Sequence, residues 1–337
     1  MWIGTNGEIE EELVPREGIQ LVTINGGGLV GVPWLKRIGN ITKLTWSMKK
    51  VNQILAGFKP DVLFMTGGYV NLPVAVVARS RRIPALIYLP DIEPAQSVKT
   101  LSRLVDVVAC TTKESGGYLR AGKCVVTGYP IRPEIKNAVH MSHKDAVATF
   151  DLDNDRQTLF VFGGSRGARS INRALKQALP SLLEKIQIVH ISGRLDWPEF
   201  ETHYNEMSSE QKKNYRPYPY LHAKMGAAFR AADLVLARAG ASMLGECPAF
   251  ALPAILVPYP YAWRYQKVNA DYLVKRGAAI TINDEELSDQ LLLGVMKLLN
   301  DDDRLKKMSS AAKALDKPDS TSQLAKILLD LGQGKIS

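Results

Sequence analysis

The stretch ARAGASMLGECPAFALPAILVPYPYAWRYQKVNA, which runs from Ala237 to Ala270, decides the fold of this chain. An apolar strand precedes it at 232–236, four small residues follow at 239–242, and a second strand covers 254–257. We expect a helix to begin at Ser242, whose side chain suits an N-cap. A strand, a turn of small residues and a helix N-terminus together predict a phosphate site, because unpaired N–H groups and the helix dipole both favour negative charge.

Three polar side chains further along this stretch suit a sugar nucleotide. Glu246 lies one helical turn after Ser242. It therefore serves either as a capping partner of that serine or as an acceptor for the two hydroxyls of a ribose. Gln266 and Asn269 lie three residues apart, so one helix face carries two amides. Two such amides suit the hydroxyls of a sugar, and they equally suit a solvated surface.

These residues resemble the donor-sugar signature of the peptidoglycan N-acetylglucosaminyltransferases, which make lipid II from lipid I. The resemblance rests on RAGASxxxE at 238–246, PAILVPYP at 253–260 and QxxNA at 266–270. It implies an α/β chain with the GT-B fold, in which two Rossmann-like domains with parallel sheets face one another across a cleft. The donor-binding residues that it implies in this stretch are Ala241, Ser242, Glu246, Gln266 and Asn269.

The composition limits the class of protein. A length of 337 residues favours two domains, and the absence of an apolar run of about 18 residues predicts no membrane span. Cys110, Cys124 and Cys247 form no CxxC pair, which predicts reduced thiols in a cytosol rather than disulfides or a zinc site. The net charge of +9 indicates an anionic partner, which is nucleic acid, anionic lipid or a diphosphate.

The start of the sequence differs from the resembling family. Residues 2–4 have the pattern of the end of a strand, and a helix at 9–17 and a strand at 19–24 follow. The family has a strand, a Gly-Gly-Thr-Gly-Gly-His loop and a helix before this point, so we expect that the first strand and the first glycine loop are missing here. The histidine of that loop is the family's candidate base. The catalytic base is therefore unknown, and the candidates within this sequence are Asp91, Glu93 and His222.

A basic stretch between Gly18 and Pro60 contains no acidic residue. Its basic residues are Lys36, Arg37, Lys43, Lys49, Lys50 and Lys59. Tryptophans 34 and 46 and several aliphatic residues lie among them, which is typical of a helix on an anionic membrane surface. The alternative is a solvated helix whose apolar side lies in the core. Since an undecaprenyl-linked acceptor requires a lipid surface, we expect peripheral binding to the cytoplasmic face of the cell membrane.

A glycine loop and an acidic turn mark the predicted acceptor side of the chain. The strand at 61–65 leads into Gly67, Gly68 and Tyr69, where the resembling family has a Gly-Gly-Tyr loop. This loop either faces the diphosphate of the acceptor or allows tight packing. The strand at 85–89 ends in a turn with Asp91 and Glu93, which either contact the acceptor or form a capped turn. Many family members have His-Glu-Gln-Asn at this turn.

A second glycine loop, Gly163-Gly164-Ser165-Arg166-Gly167, follows the strand at 158–162. A dinucleotide-binding protein would carry an acidic residue at the end of the next strand. That strand, at 186–191, ends in Ser192-Gly193, so NAD is not expected. The resemblance implies instead that Gly164 and Ser165 lie at the donor phosphates.

Two further segments belong to the implied donor site. The run Gly128-Tyr-Pro-Ile-Arg132 takes the place of a family Gly-Asn-Pro-Val-Arg run, whose arginine lies near the nucleotide. Leu221 lies in the loop 220–225, which in the family holds uracil through backbone groups. His222, in the same loop, is either a helix cap or a base.

Two other motifs are interpreted as structural. His190 lies within an apolar strand and is expected to be a core histidine with satisfied hydrogen bonds. Asp151 and Asp153 have the DxD spacing of metal-dependent glycosyltransferases, but they precede a strand instead of following one. We interpret this pair as a solvated turn, and we predict neither a metal nor a cofactor.

The resemblance implies a complete reaction. N-acetylglucosamine moves from UDP-N-acetylglucosamine to the muramoyl 4-hydroxyl of undecaprenyl-diphosphate-linked muramoyl pentapeptide, with inversion at the anomeric carbon. We expect an acceptor and membrane domain (1–137), a UDP-sugar domain (138–318) and a last helix (319–337) that packs back on the first domain. A non-catalytic UDP-sugar-binding relic and another GT-B enzyme, such as a UDP-sugar epimerase, stay open as alternatives. Nucleic acid is not expected as a partner.

Overall fold

The computed structural model describes residues 1–24, 34–68, 70–119, 124–164, 167–260 and 265–336, with the backbone alone for residues 34–45. The chain divides into two compact units, Met1–Thr127 with Ser322–Ser337, and Gly128–Thr321. The predicted boundaries lie instead after residues 137 and 318. The difference has a local cause, because Gly226 packs on the helix at Pro133–Ala138 so closely that a Cβ would lie 2.6 Å from the Cβ of Ala138.

The first unit is an α/β unit in which all paired strands are parallel. Its strands are β1 (Trp2–Thr5), β2 (Leu21–Ile24), β3 (Leu63–Met65), β4 (Ala85–Leu89), β5 (Val107–Cys110) and β6 (Cys124–Val126). Its helices are α1 (Glu10–Arg16), α2 (Trp34–Phe58), α3 (Asn71–Ser80) and α4 (Gln96–Leu101), with a 3₁₀ helix at Lys113–Tyr118. Strand β1 pairs with β2, and the other four form one sheet in the order β3-β4-β5-β6.

The core of the first unit lies on both faces of β4 and β5. Every residue of these two strands is buried, as expected for a parallel sheet covered on both sides. One face packs against α2, α3 and α4. The last helix of the chain covers the other face, where Leu331 and its neighbours contact Leu86, Tyr88 and Val107.

The second unit is built on one six-stranded parallel sheet. Its strands are β7 (Thr158–Phe162), β8 (Gln187–Ile191), β9 (Tyr215–Tyr218), β10 (Leu234–Arg238), β11 (Ala254–Val257) and β12 (Ala279–Thr281). Its first helices are α5 (Pro133–Ala138), α6 (His143–Ala148), α7 (Arg169–Leu183), α8 (Trp197–Glu206), α9 (Ser209–Asn214) and α10 (Met225–Ala231). The remaining helices of this unit are α11 (Met243–Ala249), α12 (Tyr265–Lys275), α13 (Leu287–Leu299) and α14 (Asp302–Lys313), with a 3₁₀ helix at Asp284–Glu286. The last helix, α15 (Ser320–Gly332), belongs to the first unit from Ser322 onward.

The strand order of this sheet determines where a ligand can bind. The order is β12-β11-β10-β7-β8-β9, so successive strands run outward in both directions from the neighbours β7 and β10. The carboxyl ends of β7 and β10 therefore flank a topological switch point, where open α/β sheets bind ligands. The glycine loop at 163–167 follows β7, and the small residues at 239–242 follow β10.

Helix α7 shows why the sequence folds this way beside the switch point. Its buried residues Ile171, Leu175, Leu179 and Leu182 recur every three or four positions, which gives an apolar stripe along one side. This stripe lies in the same core as Leu159 and Val161 of β7. The packing fixes the start of α7, and with it the glycine loop that leads into the helix.

The cysteines differ from the sequence-based expectation. Cys110 at the end of β5 and Cys124 at the start of β6 are joined by a disulfide bond, so the prediction that all three cysteines are reduced thiols is wrong for this pair. The two strands are neighbours in the parallel sheet, which brings the two side chains together. Cys247 is free and buried, and burial raises the pKa of its thiol.

Among the described helices, none combines the length and the apolar character needed to cross a bilayer.

Candidate functional site

A cavity of about 290 Å³ opens at the switch point of the second unit. Five separated segments contribute to its wall, which are the run after residue 128, the end of β7, the end of β8, the segment at 220–225 and the start of α11. The residues that line it are Tyr129, Pro130, Arg132, Phe162, Gly164, Ile191, Tyr220, Leu221, Met225, Ser242 and Glu246. The structure thus brings Arg132, Gly164, Leu221, Ser242 and Glu246 together, as expected of one ligand site.

Two glycines of the loop after β7 have no room for a side chain. A Cβ at Gly163 would overlap the backbone nitrogen of Ala168, and a Cβ at Gly167 would overlap the carbonyl oxygen of Ser192. Gly164 has a φ of +97°, which side chains rarely adopt, and its missing Cβ leaves open space at the cavity. The three glycines of this loop therefore present only backbone to a ligand. Ser165, predicted to lie at the phosphates, is outside the described residues.

Glu246 is the buried charge of the cavity. Its side chain is 6% exposed, and burial raises the pKa of its carboxyl. A hydrogen bond from the Ser242 hydroxyl and the positive charge of Arg132 act in the opposite direction. Ser242 and Arg132 thus favour the charged form of Glu246, in which the carboxylate accepts hydrogen bonds from a ligand in the cavity.

The start of α11 matches the prediction in position but not in its capping. The helix begins at Met243, directly after Ser242, yet the Ser242 side chain makes no cap hydrogen bond. Its hydroxyl bonds the Glu246 carboxylate instead. The backbone N–H groups of Met243 and Leu244 donate to carbonyls three residues back, at Gly240 and Ala241. A phosphate at this end would therefore meet the amides that precede Met243.

The two predicted sugar-binding amides lie on α12 and are held by neighbouring backbone. The Oε1 of Gln266 accepts a hydrogen bond of 2.9 Å from the N–H of Tyr259. Asn269 is buried, and its side-chain nitrogen lies 3.3 Å from the carbonyl oxygen of Ala239. Their binding role stays a prediction. Because the bond from Tyr259 engages the oxygen of Gln266, we expect a sugar hydroxyl to meet its NH₂ group, which is a donor.

The loop before α10 supplies one wall of the cavity. Leu221 is buried at this wall, and Tyr220 lies beside it. His222 is exposed, with its ring centroid 4.6 Å from that of Tyr220. Its role as a base stays a prediction.

Aromatic residues of the cavity were missed by reasoning from the sequence. Tyr129, Phe162 and Tyr220 all line the cavity, and each adjoins a segment that was predicted to bind the donor. Their position beside those segments was the available signal. It is a weak one, because aromatic side chains beside a loop are as often part of the core.

A buried network of hydrogen bonds lies next to the glycine loop. Asn172 donates to the Ser192 carbonyl at 2.7 Å and to Asp196 at 2.8 Å, so its own oxygen accepts from His190 Nε2 at 3.0 Å. The other ring nitrogen of His190 then accepts from the Tyr215 hydroxyl at 2.8 Å. Burial lowers the pKa of His190 to about 3, so this histidine is neutral. The prediction of a satisfied core histidine is confirmed.

The DxD pair forms a turn, as interpreted. Asp151 adopts a left-handed backbone conformation with a φ of +51°, and the carboxylate of Asp153 accepts the N–H of Asp155 at 2.9 Å. Among the described residues no group of three or more His, Cys, Asp or Glu side chains could hold a metal ion.

The predicted acceptor loop lies at the carboxyl end of β3. Gly67 and Gly68 have φ values of +101° and +91°, and the side-chain amide of Asn71 donates to the Gly67 carbonyl. Tyr69, Lys36, Arg37 and Lys43 have side chains outside the described residues. Glu93 is buried and lies 3.8 Å from Lys99, while Asp91 is partly buried. An acceptor or catalytic role for Asp91 and Glu93 stays a prediction.

A parallel doubly wound sheet with a cavity at its switch point, glycine backbone on one side and a buried carboxylate on the other, defines a nucleotide-binding α/β protein. Sequence comparison is consistent with this class. Residues 1–110 match the glycosyltransferase family 28 N-terminal domain, and residues 158–324 match the C-terminal domain of that family. The chain belongs to glycosyltransferase family 28.

Relatives with a curated name cover almost the whole chain. The protein of Roseiflexus sp. is 36% identical over 97% of this chain and 82% of its own length. That of Desulfitobacterium hafniense (strain DSM 10664 / DCB-2) is 37% identical over 98% and 90%. Both carry the name UDP-N-acetylglucosamine–N-acetylmuramyl-(pentapeptide) pyrophosphoryl-undecaprenol N-acetylglucosamine transferase.

Solved structures show the fold. The crystal structure of Acinetobacter baumannii MurG matches with a TM-score of 0.75 at 22% identity, over 98% of this chain and 90% of that one. A UDP-GlcNAc 2-epimerase from Neisseria meningitidis, bound to UDP-GlcNAc, matches with a TM-score of 0.66 at 12% identity, over 97% and 90%. The predicted α/β class with the GT-B fold is confirmed.

Proposed function

We propose that this glycosyltransferase moves N-acetylglucosamine from UDP-N-acetylglucosamine to the muramoyl 4-hydroxyl of undecaprenyl-diphosphate-linked muramoyl pentapeptide, which converts lipid I to lipid II in peptidoglycan synthesis. The observation that carries the proposal is the convergence of Arg132, Gly164, Leu221, Ser242 and Glu246 on one cavity at the switch point. The names of the relatives at 36–37% identity support the choice of donor and acceptor.

The cavity suggests a role for each group in binding the donor. The Glu246 carboxylate accepts the two ribose hydroxyls, and the wall at Leu221 borders the uracil. Backbone of the glycine loop and of residues 240–242 meets the diphosphate, where Arg132 offsets the negative charge that grows on the departing UDP. Gln266 and Asn269 bind hydroxyls of the sugar. A base must take the proton of the acceptor hydroxyl, and Asp91, Glu93 and His222 are the candidates within this sequence.

The acceptor and the membrane belong to the first unit in this proposal. Gly67, Gly68 and Tyr69 face the acceptor diphosphate. Trp46 on α2 is 59% exposed and Phe58 is 51% exposed, which supports insertion of this helix at the surface of an anionic membrane. We infer a peripheral location on the cytoplasmic face of the cell membrane, where a lipid-linked acceptor lies. Sedimentation with phosphatidylglycerol vesicles checks this inference. Binding that Trp46→Ser leaves unchanged would contradict a role for α2.

The decisive experiment measures UDP release and the mass of the product, with UDP-N-acetylglucosamine and a lipid I analogue. The expected product carries one added N-acetylhexosamine for each UDP released, and neither forms without the acceptor. UDP release without a glycosylated product, or conversion of the sugar nucleotide itself, would favour an epimerase. Binding of UDP without any turnover would favour a non-catalytic relic.

A matched pair of variants links the activity to the cavity. Glu246→Gln removes the charge at the cavity, and Asp233→Asn removes the charge of a partly buried carboxyl just before β10, whose pKa is also raised. Asp233 accepts the N–H of Thr158 at 2.7 Å and is not among the residues that line the cavity. We expect Glu246→Gln to weaken UDP-N-acetylglucosamine binding about 10- to 100-fold, since hydrogen bonds to charged groups contribute about 1.5–3 kcal/mol. Equal losses in both variants would argue against the ribose role.

A further inference from the structure

Arg238 lies at the carboxyl end of β10, where it connects the loops around the switch point. Its side chain is 10% exposed. One guanidinium nitrogen donates to the Ser170 hydroxyl at 2.7 Å, and another bonds the Asp284 carboxylate. The Ser170 hydroxyl in turn donates to Asp284 at 2.7 Å, which closes a triangle of three side chains.

The three side chains of this triangle come from three different elements. Ser170 lies in the first turn of α7, directly after the glycine loop. Asp284 begins the 3₁₀ helix that follows β12. Arg238 itself leads into the small residues at 239–242, so its backbone and its side chain act on different loops.

The same guanidinium also holds the loop after β11. It lies 3.3 Å from the carbonyl oxygen of Val257, and its central carbon lies 5.3 Å from the ring centroid of Tyr259. A cation over an aromatic ring is attracted by the ring's negative face. The backbone N–H of Tyr259 donates to Gln266, the amide expected to bind the sugar. A continuous set of contacts therefore runs from Arg238 through Tyr259 to Gln266.

We propose that Arg238 is a positioning residue for sugar selection: it fixes the loop at 257–259, and through Tyr259 the orientation of the Gln266 amide, without touching the donor. This inference rests on the proposed function, because it assumes that Gln266 binds the transferred sugar. A lysine cannot replace the arginine here. Its single nitrogen cannot reach Ser170, Asp284 and the Val257 carbonyl from one plane, and it lacks the flat face that covers the tyrosine ring.

The test compares two sugar nucleotides that differ only in the configuration at C4, UDP-N-acetylglucosamine and UDP-N-acetylgalactosamine. We expect Arg238→Lys to lower the ratio of their kcat/KM values about tenfold, which corresponds to one hydrogen bond of about 1.4 kcal/mol. The affinity for UDP, which lacks the sugar, is expected to change less than twofold. A purely structural role would weaken UDP and both sugar nucleotides together.

Arg216→Lys is the matched control. Arg216 is also partly buried, and its guanidinium donates to four carbonyls, those of Phe150, Asp151, Lys212 and Tyr215, none of which belongs to a residue that lines the cavity. We expect this variant to lose thermal stability and to keep the sugar ratio. A control that lost the ratio to the same extent would overturn the proposal.

A second variant keeps the inference falsifiable if Arg238→Lys fails to fold. Tyr259→Ala removes the ring and retains the backbone N–H that holds Gln266. We expect a smaller decrease in the sugar ratio, about threefold, with UDP affinity retained. An unchanged ratio in this variant would overturn the proposal. A wild-type enzyme that does not distinguish the two sugar nucleotides would instead contradict the proposed function.

Discussion

Two glycine loops, one in each unit, follow the same local pattern and lie in different surroundings. Gly163 and Gly164 follow β7, and Gly67 and Gly68 follow β3. In the second unit a Cβ at Gly163 would overlap the backbone of Ala168. In the first unit a Cβ at Gly67 would make an ordinary contact of 3.4 Å with Val98, and one at Gly68 would meet nothing within 4 Å.

The acidic side chains near the two loops also lie in different surroundings. Beside the loop after β7, the Glu246 carboxyl faces a cavity and has a raised pKa. In the first unit the turn after β4 holds Glu93 as an ion pair with Lys99. A strand, two glycines and a helix therefore predict where a phosphate can bind. The residues packed around the glycines determine how tightly the backbone of the loop is fixed in place.

The largest difference between the loops is expected from glycine-to-alanine changes. Gly163→Ala should abolish UDP-N-acetylglucosamine binding and lower the free energy of unfolding by about 3 kcal/mol, since the added methyl displaces backbone. Gly68→Ala, strained only by its positive φ, should cost about 1 kcal/mol and leave nucleotide binding intact. Calorimetric titration and chemical denaturation measure both quantities. Equal effects in the two variants would remove the contrast between the loops.

The second largest difference is expected from the asparagines that follow the two loops, Asn172 and Asn71. Asn172→Ala removes the hydrogen bonds of this side chain to the Ser192 carbonyl, to Asp196 and to His190 Nε2, so we expect a loss of about 2–3 kcal/mol in the free energy of unfolding. Asn71→Ala removes one partly buried bond to Gly67 and should cost about 1 kcal/mol. Urea denaturation compares them. A larger loss for Asn71→Ala would show that the acceptor loop is the more tightly held one.

Gly240→Ala tests how closely a ligand approaches the second unit. A Cβ at Gly240 meets no atom within 4 Å, so the thermal stability should not change. If the diphosphate lies against residues 240–242, the methyl group should weaken UDP binding about tenfold. An unchanged Kd would place the diphosphate elsewhere in the cavity.

The smallest predicted effect is a dependence on pH that comes from Glu246 in the second unit. Burial raises the pKa of Glu246 above its ordinary 4.5. As the pH falls through this raised value, the carboxyl gains a proton and we expect UDP-N-acetylglucosamine binding to weaken a few-fold. Protonation also relieves the cost of the buried charge, so through this group the fold becomes more stable at the same time. Loss of binding together with unfolding would exclude this explanation, and Glu246→Gln should flatten the profile.

Much of this architecture could be predicted from the sequence, for a physical reason. Strands β4, β7 and β11 are apolar runs bounded by prolines, glycines or polar residues, and each was predicted with its observed bounds. Strand β9 was missed, because its sequence Tyr-Arg-Pro-Tyr has no apolar run. It forms a strand at the sheet edge, where a proline is tolerated since one side of the strand needs no partner.

Some features of the candidate site could likewise be predicted from the sequence, and others could not. Glycines and a carboxylate at fixed spacing are visible in the sequence, and the cavity contains Gly164, Ser242 and Glu246 as expected. The Asn172–Asp196 contact is not visible, because its partners lie 24 positions apart and both residue types are common at surfaces. The hydrogen bond from Ser242 to the Glu246 carboxyl, in place of a helix cap, is not visible either, because the same spacing fits both arrangements.

The contact between Gly245 and Tyr129 links two positions in the evolution of the site. A Cβ on Gly245 would lie 2.7 Å from the Cβ of Tyr129, so the bulk of one residue depends on the smallness of the other. Any larger residue at position 245 would collide with Tyr129 and displace it from the cavity wall. A small residue at position 129 would make room for a side chain at position 245. The size of one side chain therefore limits the size of the other, although 116 positions separate the two residues in the sequence.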